Sequence, residues 1–469
     1  MKAFAFSKVR VAVLGGLCVL GLANTFATAF VGPSGPFQAT DPGVRGGAAG
    51  AGGTFPGLSA NAQQIVDLGK TEFNTNQSVT DQPGHELGLG PRFNGTSCGG
   101  CHSQPAIGGS SPASNPQIAM GQEFSATNQT PFFLTPDGPI REARFKRNAD
   151  GSPDGGVHAL FTITGRTDAP GCFLPQPDFV QAAAQHNLSF RIPTPLFGTG
   201  LIEAIPDKVI VAGIVGKSFG ISGKANRNGN DGTVTRFGWK AQNKSLDTFS
   251  AEAYNVEMGV TTDVFTQERD ETEGCLFNPT PENIAVIDEA LLVDGIGDQV
   301  RFAKFMQHLL PPTPVDPTQS PELGKAVFAQ IGCAACHTPT LKTGNAEKVY
   351  LRNKDVNLYS DLLLHNMGPN LADDISQGLA QGDEFRTAPL WGLGQRVFFL
   401  HDGRTTDLRE AIEEHVGPYG VKPTKRYQRE RHNESQGFYR PSEATQVIRN
   451  FRQLDEISKQ HLLNFLRSL

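Results

Sequence analysis

Two copies of one pentapeptide constrain this chain more than anything else in it. Cys98-Gly99-Gly100-Cys101-His102 and Cys333-Ala334-Ala335-Cys336-His337 both read C-x-x-C-H, the attachment signature of c-type haem. The spacing has a physical reason. Two thiols three residues apart on a tight turn both reach the vinyl edge of one porphyrin, and the adjacent imidazole then swings under the iron as proximal ligand. An all-thiolate zinc site made from both cysteine pairs is the competing reading. It must close over the 231 residues between the pairs, and it leaves each following histidine as coincidence. A redox dithiol suits two copies that each end in histidine no better. The chain is therefore expected to carry two covalently attached haem c groups, with Cys98, Cys101, Cys333 and Cys336 as attachment points and His102 and His337 as iron ligands.

The pentapeptide is one of four anchors that occur twice in the same order. Leu68-Gly69-Lys70 with Phe73 returns as Leu323-Gly324-Lys325 with Phe328. Pro195-Leu196-Phe197-Gly198-Thr199-Gly200 returns as Pro389-Leu390-Trp391-Gly392-Leu393-Gly394. Phe237, Trp239 and Leu246 return at identical spacing as Phe399, His401 and Leu408. Four anchors in register argue for two related domains. The copies differ in length: the first anchor's glycine precedes its haem cysteine by 29 residues in one half and by 9 in the other. The expected fold is mainly α, with two cytochrome c-like haem domains and long loop-rich insertions, including some short strands, in the first. Residues 55–310 would form the first domain and 320–469 the second. The linker 311–319 has four prolines between Pro311 and Pro317, which cannot continue a helix and favour an extended chain. After it, Ser320-Pro321 starts a helix expected to reach about Gln330. Residues 442–469 have helical apolar spacing. The insertion from about Gly108 to Arg236 reads as loop with a few strands.

The first 29 residues read as a secretory signal. Lys2, Lys8 and Arg10 precede a short apolar run from Val11 to Ala23, and Ala27-Thr28-Ala29 suits cleavage. The run is too short to span a bilayer, so no membrane span is expected after cleavage, and Cys18 leaves with the signal. Residues 30–54, rich in Gly and Ala, are expected to be flexible. The destination is an exported, oxidising periplasm. There Cys172 and Cys275 are expected to bond to each other, two buried free thiols being the alternative. The formal net charge of −6, or −9 once the three basic residues of the signal are gone, argues against a nucleic-acid partner.

Several stretches resemble a known group: GLGPRFNGTSCGGCHSQPAIGG (88–109), RIPTPLFGTGLIEAIPD (191–207), RFGWKAQNKSLDTFSAEAYNVEMGVT (236–261), YSDLLLHNMGPNLAD (359–373) and RTAPLWGLGQRVFFLHDGRTTDLREAIEEH (386–415). They are similar to the bacterial dihaem oxidoreductase family, related to dihaem cytochrome c peroxidases, to the dihaem enzyme that matures methylamine dehydrogenase and to the dihaem rubber oxygenases. The resemblance implies a distal ligand about fourteen residues after the His-Asp-Gly motif at 401–403. His415 stands there, so the second haem is expected to be bis-His and to transfer electrons, with His365 and Met367 as rival ligands. His401, Asp402, Gly403 and Arg404 are expected to orient ligands or propionates. Fourteen residues after Trp239 stands Ala253, which leaves the first iron open to hydrogen peroxide or O2. The relatives' Asn-Pro-Val-Glu-Met-Gly segment matches Asn255-Val256-Glu257-Met258-Gly259, without the proline, and makes Glu257 the distal acid/base, with Glu203 as second candidate. Trp239 matches a tryptophan that relays electrons between the haems, although Lys240-Ala241-Gln242 follows it in place of Asp-Gly-Arg. The activity implied is peroxide reduction with electrons from a small redox protein. An O2-using oxygenase and a plain electron carrier are the alternatives, and relatives often hold a calcium ion between domains.

Overall fold

A computed structural model describes residues 36–284, 296–315, 321–416 and 439–469. The signal segment, part of the proline linker and Ser320 lie outside the described residues. The described residues from Ala39 onward belong to one compact unit, the second of two. Every helix and strand among the described residues belongs to the second unit.

The four repeated anchors turn out to be the joints of two similar helical frames. In the first frame, α1 (Ala60–Asn74) starts at Ser59, whose hydroxyl accepts the N–H of Ala62 at 3.2 Å. It buries Val66, Gly69 and Phe73, one face at helical spacing. The helix α2 (Leu246–Met258) begins at the fourth anchor, and α3 (Asp298–His308) closes the frame. In the second frame, α4 (Pro321–Ile331) corresponds to α1 and ends within a residue of the sequence expectation. The short α5 (Leu408–Glu414) corresponds to α2. The C-terminal stretch forms two helices, α6 (Thr445–Gln453) and α7 (Glu456–Ser468), because Asp455 accepts the N–H of Ser458 at 2.8 Å and so starts a new helix.

The repeated glycines mark where these helices touch. A Cβ on Gly69 would lie 2.3 Å from the carbonyl oxygen of Arg301 on α3, and one on Gly324 would lie 2.1 Å from that of His461 on α7. No larger residue allows either crossing. The third anchor repeats the device, with Gly200 against Gln307 and Gly394 against Arg467. Rings fill each crossing in the same way: Phe73 packs on Phe305 at 5.2 Å and Phe328 on Phe465 at 5.6 Å.

The insertion in the first half contributes a three-stranded antiparallel sheet. Its central strand β1 (Glu142–Phe145) pairs with β2 (Val157–His158) and β3 (Leu188–Arg191). No strand among the described residues exceeds four residues, so helices and loops carry the core. The core does not divide at the expected domain boundary: the first half's cluster takes in Leu351, Leu358, Leu363 and Trp391 from the second. Cys172 and Cys275 are bonded, joining two loops of the first half.

One expectation needs correction. Residues 39–54, expected to be flexible, are tied along both frames. Asp41 pairs with Arg467 at 2.6 Å, both side chains nearly buried, and also accepts the N–H of Leu408. Arg45 N–H donates to Gly394 O at 2.7 Å, and Gly53 O accepts the N–H of Leu310 at 2.9 Å. Small residues let this strap lie flat across the frames, and its anchors are single polar groups that composition does not reveal. No helix among the described residues is long and apolar enough to cross a membrane.

Candidate active site

Each frame encloses a cavity, about 150 Å³ in the first half and about 200 Å³ in the second. A C-x-x-C-H turn opens into each. In the first, Ser97 accepts the N–H of Gly100 and starts a helical turn, Cys98–Cys101, closed by His102 N–H donating to Cys98 O at 3.0 Å. In the second, His337 N–H donates to Cys333 O at 2.9 Å. The turns therefore present two thiols and one imidazole together, as the spacing predicts. None of the four motif cysteines is in a disulfide.

Both imidazoles are oriented in the same way. Nδ1 of His102 donates to Gly109 O at 2.9 Å, and Nδ1 of His337 donates to Tyr359 O at 3.0 Å. A backbone acceptor on Nδ1 selects the tautomer that leaves the Nε2 lone pair free for a metal. Burial pushes both rings down to about 4, so both are neutral, the ligating form. Phe73 and Phe328, the last residues of the first anchor, pack on these rings at 6.0 and 6.5 Å.

The cavity linings also carry uncompensated positive charge. Arg386 and Arg396, both lining the second cavity, are buried and pushed down to about 10 by that burial. Among the described residues neither meets a carboxylate. In the first cavity, Nε of Arg141 is buried without a partner. Buried guanidinium groups of this kind call for anions. Paired thiols, a neutral imidazole with a free Nε2 and buried arginines are the donor set that an iron porphyrin with two propionates requires, so the residues fit it. Among the described residues no group of three or more His, Cys, Asp or Glu side chains is placed to hold a metal ion, and nothing in the structure supports the calcium expectation.

Beyond these shared features the cavities diverge. The fourth anchor places Ala253 on the wall of the first and His415 on the wall of the second, each fourteen residues past the matching ring. Nδ1 of His415 donates to Ala411 O at 2.8 Å, which leaves its Nε2 free as well. Burial pushes the His415 ring below the usual imidazole range, toward the neutral form. The rival His365 is committed elsewhere: Nε2 meets Asp361 at 2.9 Å and Nδ1 meets Glu443 at 2.8 Å. Met367 lines the second cavity. His401 lines it too, stacked on Phe385 at 4.4 Å, while Asp402 and Arg404 pair with each other.

The first cavity instead holds a pair of acids. Glu257, near the end of α2, accepts a hydrogen bond from Nδ2 of Asn94 at 2.9 Å and lies against Glu142 of β1. Burial first, and then the neighbouring Glu142, raise Glu257 well above the usual carboxylate range. Burial works on Glu142 in the same direction, but Arg144 and Arg191 overcome it and hold Glu142 low. Of the two, Glu257 is therefore the member that favours the proton. The sheet delivers the partners: alternation along β1 puts Glu142 and Arg144 on one face, and Arg191 stands directly across from Glu142 on β3. Sequence reasoning missed Glu142, Arg144, Arg191 and Asn94. The Glu-Ala-Arg-Phe alternation was the signal for β1, but nothing local ties it to Glu257. Glu203, the second candidate acid, accepts the N–H of Leu246 and a hydrogen bond from Gln307, both at 2.8 Å. It caps α2 and is no part of the cavity lining.

Trp239 lines both cavities. Its Nε1–H donates to Ile192 O at 2.9 Å, and its ring meets His401 edge-on at 6.4 Å. The repeat thus brings its own equivalent rings together between the two cavities. Lys240, the departure from the relatives' pattern, is fully buried, paired with Asp373 at 2.9 Å and seated over the Phe385 ring at 3.8 Å.

No curated protein matches this chain. Among solved structures, the diheme peroxidase BthA from Burkholderia thailandensis E264 aligns over 93% of this chain and 94% of its own at 13% identity, with a TM-score of 0.37, too loose a likeness to carry an argument. The family model described as "Di-haem oxidoreductase, putative peroxidase" matches residues 181–436. That match takes in more than half of the chain, including Trp239, Glu257, the second C-x-x-C-H turn and His415, and the chain therefore belongs to the di-haem oxidoreductase family.

Proposed function

We propose that the chain is an exported, periplasmic dihaem c enzyme that reduces hydrogen peroxide in its first cavity with electrons drawn through its second. Cys98 and Cys101 would tether one haem and Cys333 and Cys336 the other, with His102 and His337 as proximal ligands. The observation that carries the reading is the contrast at one repeat position, Ala253 in the first cavity and His415 in the second. When bound, the haems supply redox-active iron. His415 would be a second protein ligand to the iron of one, which suits electron transfer, and Ala253 would leave room for an oxidant at the other.

The acid pair supplies the proton chemistry. Cleaving a peroxide heterolytically requires a group that takes a proton from one oxygen and gives it to the other. The pair divides that work: Glu257, raised by burial and held by Asn94, is the member that gives its proton to the departing oxygen, and Glu142, kept ionised by Arg144 and Arg191, is the member that can take the proton from the other oxygen. Trp239 spans the wall between the cavities with its polar atom satisfied, so it bridges them without burying a charge. A small redox protein would supply electrons at the second half.

The test is turnover of hydrogen peroxide by the holoprotein with a reduced small c-type cytochrome as donor, after intact mass has counted the covalent haems. Two adducts and donor oxidation coupled to peroxide loss support the reading. Two adducts without peroxide turnover contradict it and favour the O2-using or electron-carrier alternatives.

A further inference from the structure

A line of ring contacts leaves the first cavity through its histidine. Phe73 packs on His102 with centroids 6.0 Å apart, Phe302 meets Phe73 edge-on at 5.9 Å, and Tyr254 meets Phe302 edge-on at 5.1 Å. Tyr254 is 1% exposed. Its O–H donates to Oδ2 of Asp298 at 3.1 Å, and its oxygen accepts a hydrogen bond from Nε2 of Gln77. Asp298 opens α3 and is held in place by Nδ2 of Asn283 at 2.8 Å and by Arg301 at 3.5 Å.

The second half supplies a built-in contrast. Phe328 packs on His337, and Tyr359 meets Phe328 edge-on at 5.9 Å. That line also ends in a tyrosine, but among the described residues its hydroxyl makes no hydrogen bond to a carboxylate, and Glu322 acts on it only through space. A buried phenol that gives up an electron must also give up its proton, and only a base within hydrogen-bond reach can take it. Tyr254 has that base and Tyr359 does not.

We propose that Tyr254 is a redox residue that donates one electron toward the first haem while Asp298 takes its proton. The inference rests on the peroxide reading above. Peroxide takes up two electrons and two protons and leaves as two waters. When the second haem has no electron to give, both electrons are drawn from the first haem, and one is then replaced from Tyr254 as its phenolic O–H bond breaks. The proton joins Oδ2 of Asp298, leaving a neutral tyrosyl radical beside a neutral carboxyl; no other bond changes. Burial and the nearby Glu72 hold Asp298 above the usual carboxylate range, which makes it a better base. Tyr254 would thus hold an oxidising equivalent in a dry, aromatic-lined place instead of letting it attack the cavity wall.

The test is EPR of fully ferric holoprotein, freeze-quenched after an equimolar addition of hydrogen peroxide, with absorption at the haem bands recorded in parallel. The expected result is a radical whose hyperfine width changes with ring-deuterated tyrosine, absent when the second haem is reduced beforehand. It should persist in Tyr359→Phe and be lost in Tyr254→Phe. If that variant fails to load haem, Asp298→Asn, which keeps the shape and removes the base, should lose the signal instead. A radical insensitive to tyrosine deuteration, or one that survives both variants, overturns the proposal. So does a changed haem spectrum with no radical, while peroxide chemistry stands. No change at the haem bands removes the peroxide reading and this inference together.

Discussion

In both halves a helix from the first anchor lays a phenylalanine on the motif histidine, Phe73 on His102 and Phe328 on His337. In both, a backbone carbonyl holds Nδ1 of that histidine. A glycine then lets the same helix cross the last helix of its frame at backbone contact. The halves differ on the facing wall. There the first has Ala253, Glu257 and its partner Glu142, and the second has His415 and two buried arginines without carboxylates. One scaffold can therefore serve two purposes: the parts that would hold a prosthetic group repeat, and the parts that line the rest of each cavity do not.

That comparison can be broken at the position that defines it. Ala253→His should give the first cavity the ligand of the second and abolish peroxide turnover, with a spectrum showing two low-spin haems; turnover left intact would mean that the repeat does not align the two walls. Next in size is Glu257→Gln, which should lower peroxide turnover by about 10²–10⁴-fold. The wild-type rate should fall as pH rises through the elevated Glu257 value, because the proton donor is then lost, and Glu257→Gln should flatten that limb. Stability should follow the same sign. Glu257 titrates higher folded than unfolded, so its contribution is present below the unfolded glutamate range and lost as pH rises. Chemical denaturation at alkaline pH should therefore show the glutamine variant gaining on the wild type.

How much of this was legible in the sequence depended on distance along the chain. The C-x-x-C-H turns and the start and end of α4 are local patterns, and those backbone turns and that helix form where the residues predict. The repeat was visible because its anchors are glycines and aromatics at fixed spacing, and the structure shows why: each glycine marks a helix crossing. The acid pair was only half visible. Glu257 lies in a recognisable segment, but Glu142 reaches it through a sheet whose partner strand starts at Leu188, and strands this short have little periodicity to read. The strap misled for the same reason. Its Gly/Ala composition signals freedom, yet Asp41 finds Arg467 at the far end of the chain, 426 residues away.

Two smaller effects sharpen the comparison. Gly324→Ala should destabilise the second frame by about 1–3 kcal/mol through overpacking against the His461 carbonyl, and Gly69→Ala should do the same to the first. Thermal unfolding of each variant would show whether the two crossings are equivalent. Trp239→Phe removes the hydrogen bond to Ile192 O and should cost about 1 kcal/mol of stability. It should also slow electron transfer between the haems, measured by stopped-flow reduction of the first after the second, without changing the resting spectrum of either.

The account turns on one iron being open and its twin being closed on both faces. EPR of the ferric holoprotein reads this directly: the wild type should show one high-spin and one low-spin haem, and His415→Ala should convert the low-spin signal to high-spin. Two low-spin haems in the wild type, or a low-spin signal that survives His415→Ala, would contradict it.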